Sequence, residues 1–271
     1  MSIVACVKVY DGIVLGAESM SQLIGQPAPG QSQFIKAYSN AKKLFQIKAG
    51  PYGCGVLAYG IGNIGPRSVQ SLLYEFSEQS GALTANLIGP VENMTVEDVA
   101  SRLSRFIRTS YDNAFQSLKP EQKPVMGFYV AGYSPNQHFG SEWEFVLPRD
   151  QAARRSRPDA EFGAAWRGVS GPFFRLSFGF DPRIVDALVA QGMPADITQK
   201  IQATAKTFAM PVVFDGMPLQ DAIGYCKFIL ETTINASTYE VGVPTCGGPL
   251  HIAVITRGDG FCWIAKPEYT Q

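Results

Sequence analysis

Residues 1–18 read MSIVACVKVYDGIVLGAE, two candidate β-strands joined by a tight turn. Ser2–Val9 alternates Ile3, Ala5, Val7 and Val9 with Ser2, Val4, Cys6 and Lys8, and is rich in the β-branched residues that suit a pleated surface. Asp11-Gly12 is a strong two-residue hairpin signal, because glycine accepts the positive φ of a type I′ turn. Ile13–Ala17 is a second, nearly all-apolar strand, and it ends on a carboxylate, Glu18. A chain that begins with a buried hairpin holds its own N-terminus inside the fold, where most termini are loose. The small residue after Met1 predicts removal of that methionine, which leaves Ser2 with a free α-amine. An ordered amine beside a hydroxyl is a nucleophile with its own base.

The 271 residues are 46% hydrophobic and 17% charged, the composition of a globular chain and not of a disordered one. At this length roughly 70–75% of the unfolded surface is buried on folding. Lys and Arg number 23, as do Asp and Glu, so no basic excess points to nucleic acid or an anionic membrane as partner. No signal-like start and no window of about eighteen apolar residues is present, which predicts a cytoplasmic protein. The five cysteines contain no C-x-x-C pair and read as reduced, buried thiols. His138 and His251 are too few for a histidine triad or a His-rich metal site. Neither metal nor cofactor is expected.

Outward from the hairpin, residues 23–34 (LIGQPAPGQSQF) read as a loop, followed by a short strand near Ile35–Tyr38. Lys42–Lys48 is a strand with Lys43, Phe45 and Ile47 on one face, and Gly53–Tyr59 is another, buried one. Gly60–Gly65 matches G-x-G-x-x-G. Four antiparallel-type strands precede it, however, and no strand ending in an acid follows about twenty residues on, so the dinucleotide reading is set aside. What stays is a glycine-rich turn whose N–H groups suit a negative oxygen. Helices are expected at Arg67–Gln79 and Val96–Leu118, the second opened by Thr95 and Asp98 as a near-capping box. Strands follow at Val125–Gly132 and Trp143–Leu147. Pro148–Glu161, with four arginines and three acids, reads as a solvated loop. Ala164–Gly168 is a short strand leading to Ser170-Gly171-Pro172. Helical segments are expected at Pro182–Gln191, Pro194–Phe208 and Leu219–Ile234, and strands at Leu250–Thr256 and Gly260–Ile264. Helices segregated from antiparallel strands give an α+β domain over 1–271, a four-layer αββα sandwich with two sheets between helical layers.

Three blocks, IVLGAES at 13–19, AKKLFQI at 41–47 and CGGPLHIAVITRGDGFCWI at 246–264, resemble the proteasome β-subunit family of N-terminal nucleophile hydrolases. Insertions around 148–161 and 192–218 resemble a bacterial proteasome-like branch. The resemblance puts Ser2 at the family's N-terminal threonine, Glu18 at its aspartate, Lys43 at its lysine and Ser170 at the serine beside the α-amine. The oxyanion-binding backbone N–H falls at Tyr59 or Gly60. Val243 and Cys246 stand where the family has a second aspartate and a serine.

The implied activity is hydrolysis of peptide or amide bonds, with peptides or unfolded protein as substrate. The implied assembly is a homo-oligomeric ring or stacked rings, with an unfoldase as candidate partner. Two other functions fit the same residues: a catalytically silent structural subunit, and a small-molecule amide acylase. Read alone, Ser2 is also an ordinary start-of-strand serine, Glu18 and Lys43 a structural ion pair, and Ser170 a turn cap.

Overall fold

Both faces of the N-terminal hairpin are covered, and every strand side chain except Lys8 is apolar. The computed structural model describes residues 2–24, 34–83 and 93–266; Met1, whose removal the sequence predicts, and residues 25–33 of the expected loop lie outside them. β1 (Ile3–Val9) and β2 (Gly12–Ala17) are buried along their whole length. Ile3, Ala5, Val7, Val9 and Val14 pack toward one layer, while Val4, Cys6, Ile13, Leu15 and Ala17 pack toward the opposite one. Strands apolar on both faces belong in the middle of a layered fold.

The turn lies one residue earlier than the sequence suggested. Val9 pairs with Gly12, so Tyr10 and Asp11 form the loop, and none of Tyr10, Asp11 and Gly12 takes the positive φ of a type I′ turn. Gly12 serves packing instead: a Cβ there would stand 2.9 Å from Leu219 Cδ1 and 3.1 Å from the Ile255 carbonyl.

The strands that follow are β3 (Ser21–Ile24), β4 (Phe34–Tyr38), β5 (Leu44–Ile47), β6 (Cys54–Gly60), β7 (Asn63–Ile64) and β8 (Arg67–Ser68). Helices α1 (Val69–Leu83) and α2 (Val96–Ala114) precede β9 (Met126–Gly132), β10 (Ser141–Leu147), β11 (Arg154–Arg157) and β12 (Gly163–Gly168). Then come α3 (Gly171–Phe178), α4 (Arg183–Ala190), α5 (Ala195–Lys206), α6 (Leu219–Tyr239), β13 (His251–Thr256) and β14 (Gly260–Ala265). Two five-stranded sheets result, ordered β12-β1-β2-β13-β14 and β11-β10-β9-β6-β5. α1 and α2 cover the outer face of the second sheet, and α3 and α6 that of the first. The inner faces meet through Leu15, Leu57, Tyr129 and Ile255. The architecture is the four-layer αββα sandwich.

Four local readings are corrected. Leu23, Ile24 and Phe34, assigned to a loop, belong to the paired strands β3 and β4. Gly60–Gly65 does not run straight into a helix; β7 and β8 form a small hairpin before α1, which removes the strand-turn-helix setting of a dinucleotide fingerprint. Residues 148–161 are not simply a solvated loop, because Arg154–Arg157 is an edge strand on β10. Arg154 and Arg157 face Glu144 and Glu142, both buried, and the ion pairs draw the segment onto the sheet. Helix α3 lies where the sequence assigned no element beyond Ser170-Gly171-Pro172; it opens there, where proline's fixed φ suits the first helical turn.

Candidate active site

Ser2 immediately precedes β1, is 4% exposed, and is held by its backbone: the Val169 N–H donates to the Ser2 carbonyl at 2.7 Å. Gly168 permits that approach. It has φ +91°, and a Cβ on it would lie 1.8 Å from the Ser2 carbonyl oxygen. The two strands of the hairpin close around the same point. The Glu18 N–H donates to the Ile3 carbonyl, and the Ile3 N–H donates back to Glu18 Oε1, both at 3.3 Å.

Glu18 is fully buried and saturated with donors. Oε1 accepts from Ile3 N–H and from the Lys43 ammonium; Oε2 accepts from the N–H groups of Met20 at 2.7 Å and Gly247 at 3.1 Å. Lys43 leads into β5 on the opposite sheet and also donates to the Met20 carbonyl. Gly247 in turn accepts the N–H groups of Ser19 and Met20 at 3.1 and 2.9 Å. The C-terminal Cys246-Gly247-Gly248 loop is thus clasped to the end of β2.

Ser2 and Lys43 open into one cleft of about 670 Å³, lined also by Met20, Gln22, Ala58 and Gly60. The direction of one backbone donor follows from strand geometry. The Ala58 N–H bonds the Lys43 carbonyl on the β5 side, and the Ile61 N–H bonds the Val125 carbonyl on the β9 side. Amides alternate along a strand, so the Gly60 N–H points to the β5 side, beyond the first residue of β5, into the cleft. The Tyr59 N–H points to β9. Of the two neighbours left open by the sequence, Gly60 is the one whose donor faces the cleft.

The Tyr59 side chain runs between the sheets to Glu144. Ser170 heads α3 without a side-chain capping bond, so the turn-cap reading fails, and it is not among the cleft-lining residues. Val243 is 45% exposed and also outside the cleft lining. Cys246 is buried, and its N–H donates to the Ser237 hydroxyl at 3.2 Å. Burial, reinforced by the Glu18 charge, pushes its thiol up to about 12, which removes it as a competing nucleophile. Among the described residues no cluster of His, Cys, Asp and Glu could hold a metal ion, and all five cysteines are free.

Set beside solved structures, the chain matches Anbu (ancestral beta-subunit) from Yersinia bercovieri with a TM-score of 0.58 and 12% identity, over 97% of this chain and 88% of that one. The Anbu complex from Pseudomonas aeruginosa, solved as a helical assembly, gives 0.58 and 13% over 98% and 88%. A Gly-1 mutant of Anbu from Hyphomicrobium sp. strain MC1 gives 0.56 and 10% over 99% and 89%. The fold is Anbu-like and proteasome-related. No protein-family model and no curated protein matches the chain.

The resemblance to the proteasome β-subunit family is corrected accordingly: the structural neighbours are Anbu proteins, a distinct branch of the proteasome-like fold. The physical reason lies in the blocks that carried the resemblance. The hairpin, β5 and the closing β13–β14 pair build the shared inner sheets, so they identify the layered fold and not a branch of it.

The sequence reading did not anticipate the backbone contributions of Met20, Gly168 and Gly247. Only glycine at 247 and 248, in a CGG run, hinted that backbone approaches closely there. Lys42, next to Lys43, lies 5.3, 5.5 and 5.8 Å from the ring centres of Phe45, Tyr74 and Trp263. Among the described residues no helix is long and apolar enough to cross a membrane.

Proposed function

We propose that this chain is an amidohydrolase in which Ser2, freed at its α-amine by removal of Met1, is the nucleophile for peptide or amide bonds. What carries the reading is the meeting, in one cleft, of Ser2, an ammonium anchored by a buried carboxylate, and a backbone N–H aimed at open space. The Ser2 hydroxyl attacks the carbonyl carbon while its own amine, directly or through a water, takes the proton. Lys43, held by Glu18, stabilises the ionising oxygen. The Gly60 N–H receives the tetrahedral oxyanion, an interaction worth about 3–4 kcal/mol when such a donor is preorganised. The amine then returns the proton to the leaving nitrogen, and water hydrolyses the Ser2 ester. Ser170, one residue beyond the Val169 N–H that holds Ser2, is proposed to steady the α-amine.

The test is the intact mass of the purified protein after incubation with an electrophilic β-lactone. Loss of one methionine and gain of a single adduct, absent in Ser2→Ala, is the expected result. A retained Met1, or a trimmed chain without adduct, would move the reading to a catalytically silent structural subunit.

We also propose self-association through the helical layer. α4 and α5 pack on each other and leave Ile184, Val189, Ile197 and Ile201 exposed. Apolar stripes left in water mark interaction surfaces, and the Anbu complex from P. aeruginosa forms a helical assembly. Light scattering on the full chain, with Ile184→Glu as the disrupting variant, tests this.

A further inference from the structure

A second ion network joins the two sheets, and the chemistry above leaves it unused. Glu144 on β10 is 1% exposed. Its Oε1 accepts from the Tyr59 hydroxyl at 2.7 Å and Arg167 Nε at 2.5 Å; its Oε2 accepts from Arg167 Nη2 at 3.0 Å and Arg154 Nη2 at 3.4 Å. Tyr59 comes from β6 of the same sheet, two strands away, and Arg167 from β12 of the other sheet. The ring crosses β9 at Gly127, where a Cβ would stand 2.2–2.5 Å from three Tyr59 atoms. Arg167 also lies 5.7 Å from the centre of the Tyr129 ring.

One end of this network lines the cleft, and the other leads along the backbone to Ser2. Tyr59 precedes Gly60, whose N–H faces it. Arg167 pairs with Val4 on β1 and precedes Gly168-Val169, which grips the Ser2 carbonyl. Ser2 and Gly60 belong to different sheets, and apolar packing between sheets is non-directional. A bidentate arginine–carboxylate pair is directional.

We propose that Glu144, with Tyr59 and Arg167, is a positioning assembly that sets the Gly60 N–H at a fixed distance from Ser2. The inference rests on the Ser2–Gly60 reading of the cleft. The charge states suit the role. Burial alone would raise the Glu144 carboxyl, but the hydrogen bonds and charge of Arg167, aided by Tyr59 and Arg154, hold it below its ordinary value, so it stays an acceptor. Burial and the neighbouring Glu144 push the Tyr59 phenol up, so it stays a donor.

Tyr59→Phe removes one hydrogen bond and keeps the ring, Glu144→Gln removes the charge, and Arg167→Lys keeps the charge without the fork. Each variant is measured for lactone acylation of Ser2, separating limiting rate from half-saturation, and for hydrogen exchange by mass spectrometry. A small displacement of reacting groups costs up to about a hundredfold. The expected result for Tyr59→Phe is therefore a limiting rate lowered about ten- to a hundredfold, an unchanged half-saturation, and faster exchange confined to 58–64. Glu144→Gln repeats this more strongly, and Arg167→Lys, which keeps the charge, loses less of the rate than Glu144→Gln.

Wild-type rate and wild-type exchange at 58–64 in Tyr59→Phe would overturn the proposal. So would faster exchange spread evenly over β9 and β10, the mark of a merely structural bond. If the wild-type protein takes no adduct, the Ser2 reading falls, and the exchange at 58–64 alone decides whether the network positions the strand end.

Discussion

The Lys43 ammonium, on the sheet that ends in β5, is hydrogen-bonded across the gap to the Glu18 carboxylate at the end of β2. Glu18 has no exposed surface, so its charge rests on Lys43 and on three backbone N–H groups. Lys43→Met removes the only one of these partners that carries a full charge. Breaking a buried pair from one side costs about 3–5 kcal/mol, and urea denaturation should show a loss of that order together with loss of Ser2 acylation. In the double variant Glu18→Gln/Lys43→Met the stranded charge is gone. It should regain much of the stability and none of the acylation. A double variant no more stable than Lys43→Met would mean that the pair is not the source of the loss.

Gly168→Ala separates the placement of Ser2 from the stability of the fold. The residue combines φ +91° with a Cβ site 1.8 Å from the Ser2 carbonyl oxygen, so alanine must displace one backbone or the other. Acylation of Ser2 should fall at least tenfold, since misplacement by about 1 Å costs up to a hundredfold. Near-wild-type acylation in a folded Gly168→Ala protein would show that the grip of Gly168-Val169 on Ser2 does not matter.

What could be read in the sequence was what local pattern encodes. The alternation of Ile3, Ala5, Val7 and Val9 and the unbroken apolar run of β2 announced strands covered on both faces, and the segregation of helices from strands gave the layers. Glu18 stood out as the carboxylate that ends an apolar strand, Lys43 was singled out by the resemblance alone, and the structure brings the two into contact. The Glu144 network was not. Glu142 and Glu144 alternate with Trp143 and Phe145 as a solvent-facing row would, and only the approach of β12 and β11 turns that row inward against arginines. Arg154 and Arg157 read as solvated for the same reason: Glu144 and Glu142, which draw them onto the sheet, lie outside the segment. The hairpin turn was misplaced because Gly12 is required by Leu219, more than two hundred residues away, and not by φ.

Gly127→Ala should reveal the same long-range logic in a stability measurement. The added methyl would meet the Tyr59 ring, which lies across β9 on its way to Glu144. Overpacking of this kind costs about 1–3 kcal/mol, read as a lower urea midpoint. In a Tyr59→Leu background the obstructing ring is absent, so the additional cost of Gly127→Ala should shrink toward zero. Equal costs in both backgrounds would place the strain elsewhere.

His251 gives the fold a pH dependence that begins above the carboxylate range. It is 2% exposed on β13, opposite Ala17, and its Nδ1 has no hydrogen-bond partner among the described residues. Burial, then the charges of Lys42 and Lys43, lowers its pKa from the ordinary 6.5. The unfolded chain therefore binds a proton that the folded chain refuses, and stability rises with pH in that window. The contribution is complete above about 6.5 and is lost as pH falls toward the folded value, at up to about 1.4 kcal/mol per pH unit. Glu144, also depressed in the fold, acts in the same direction but below the ordinary carboxylate value of 4.5. Urea unfolding of the wild type should weaken steadily below about pH 6.5, and in His251→Gln the curve should stay flat until the carboxylate range. A wild-type slope that survives in His251→Gln would assign the loss to another group.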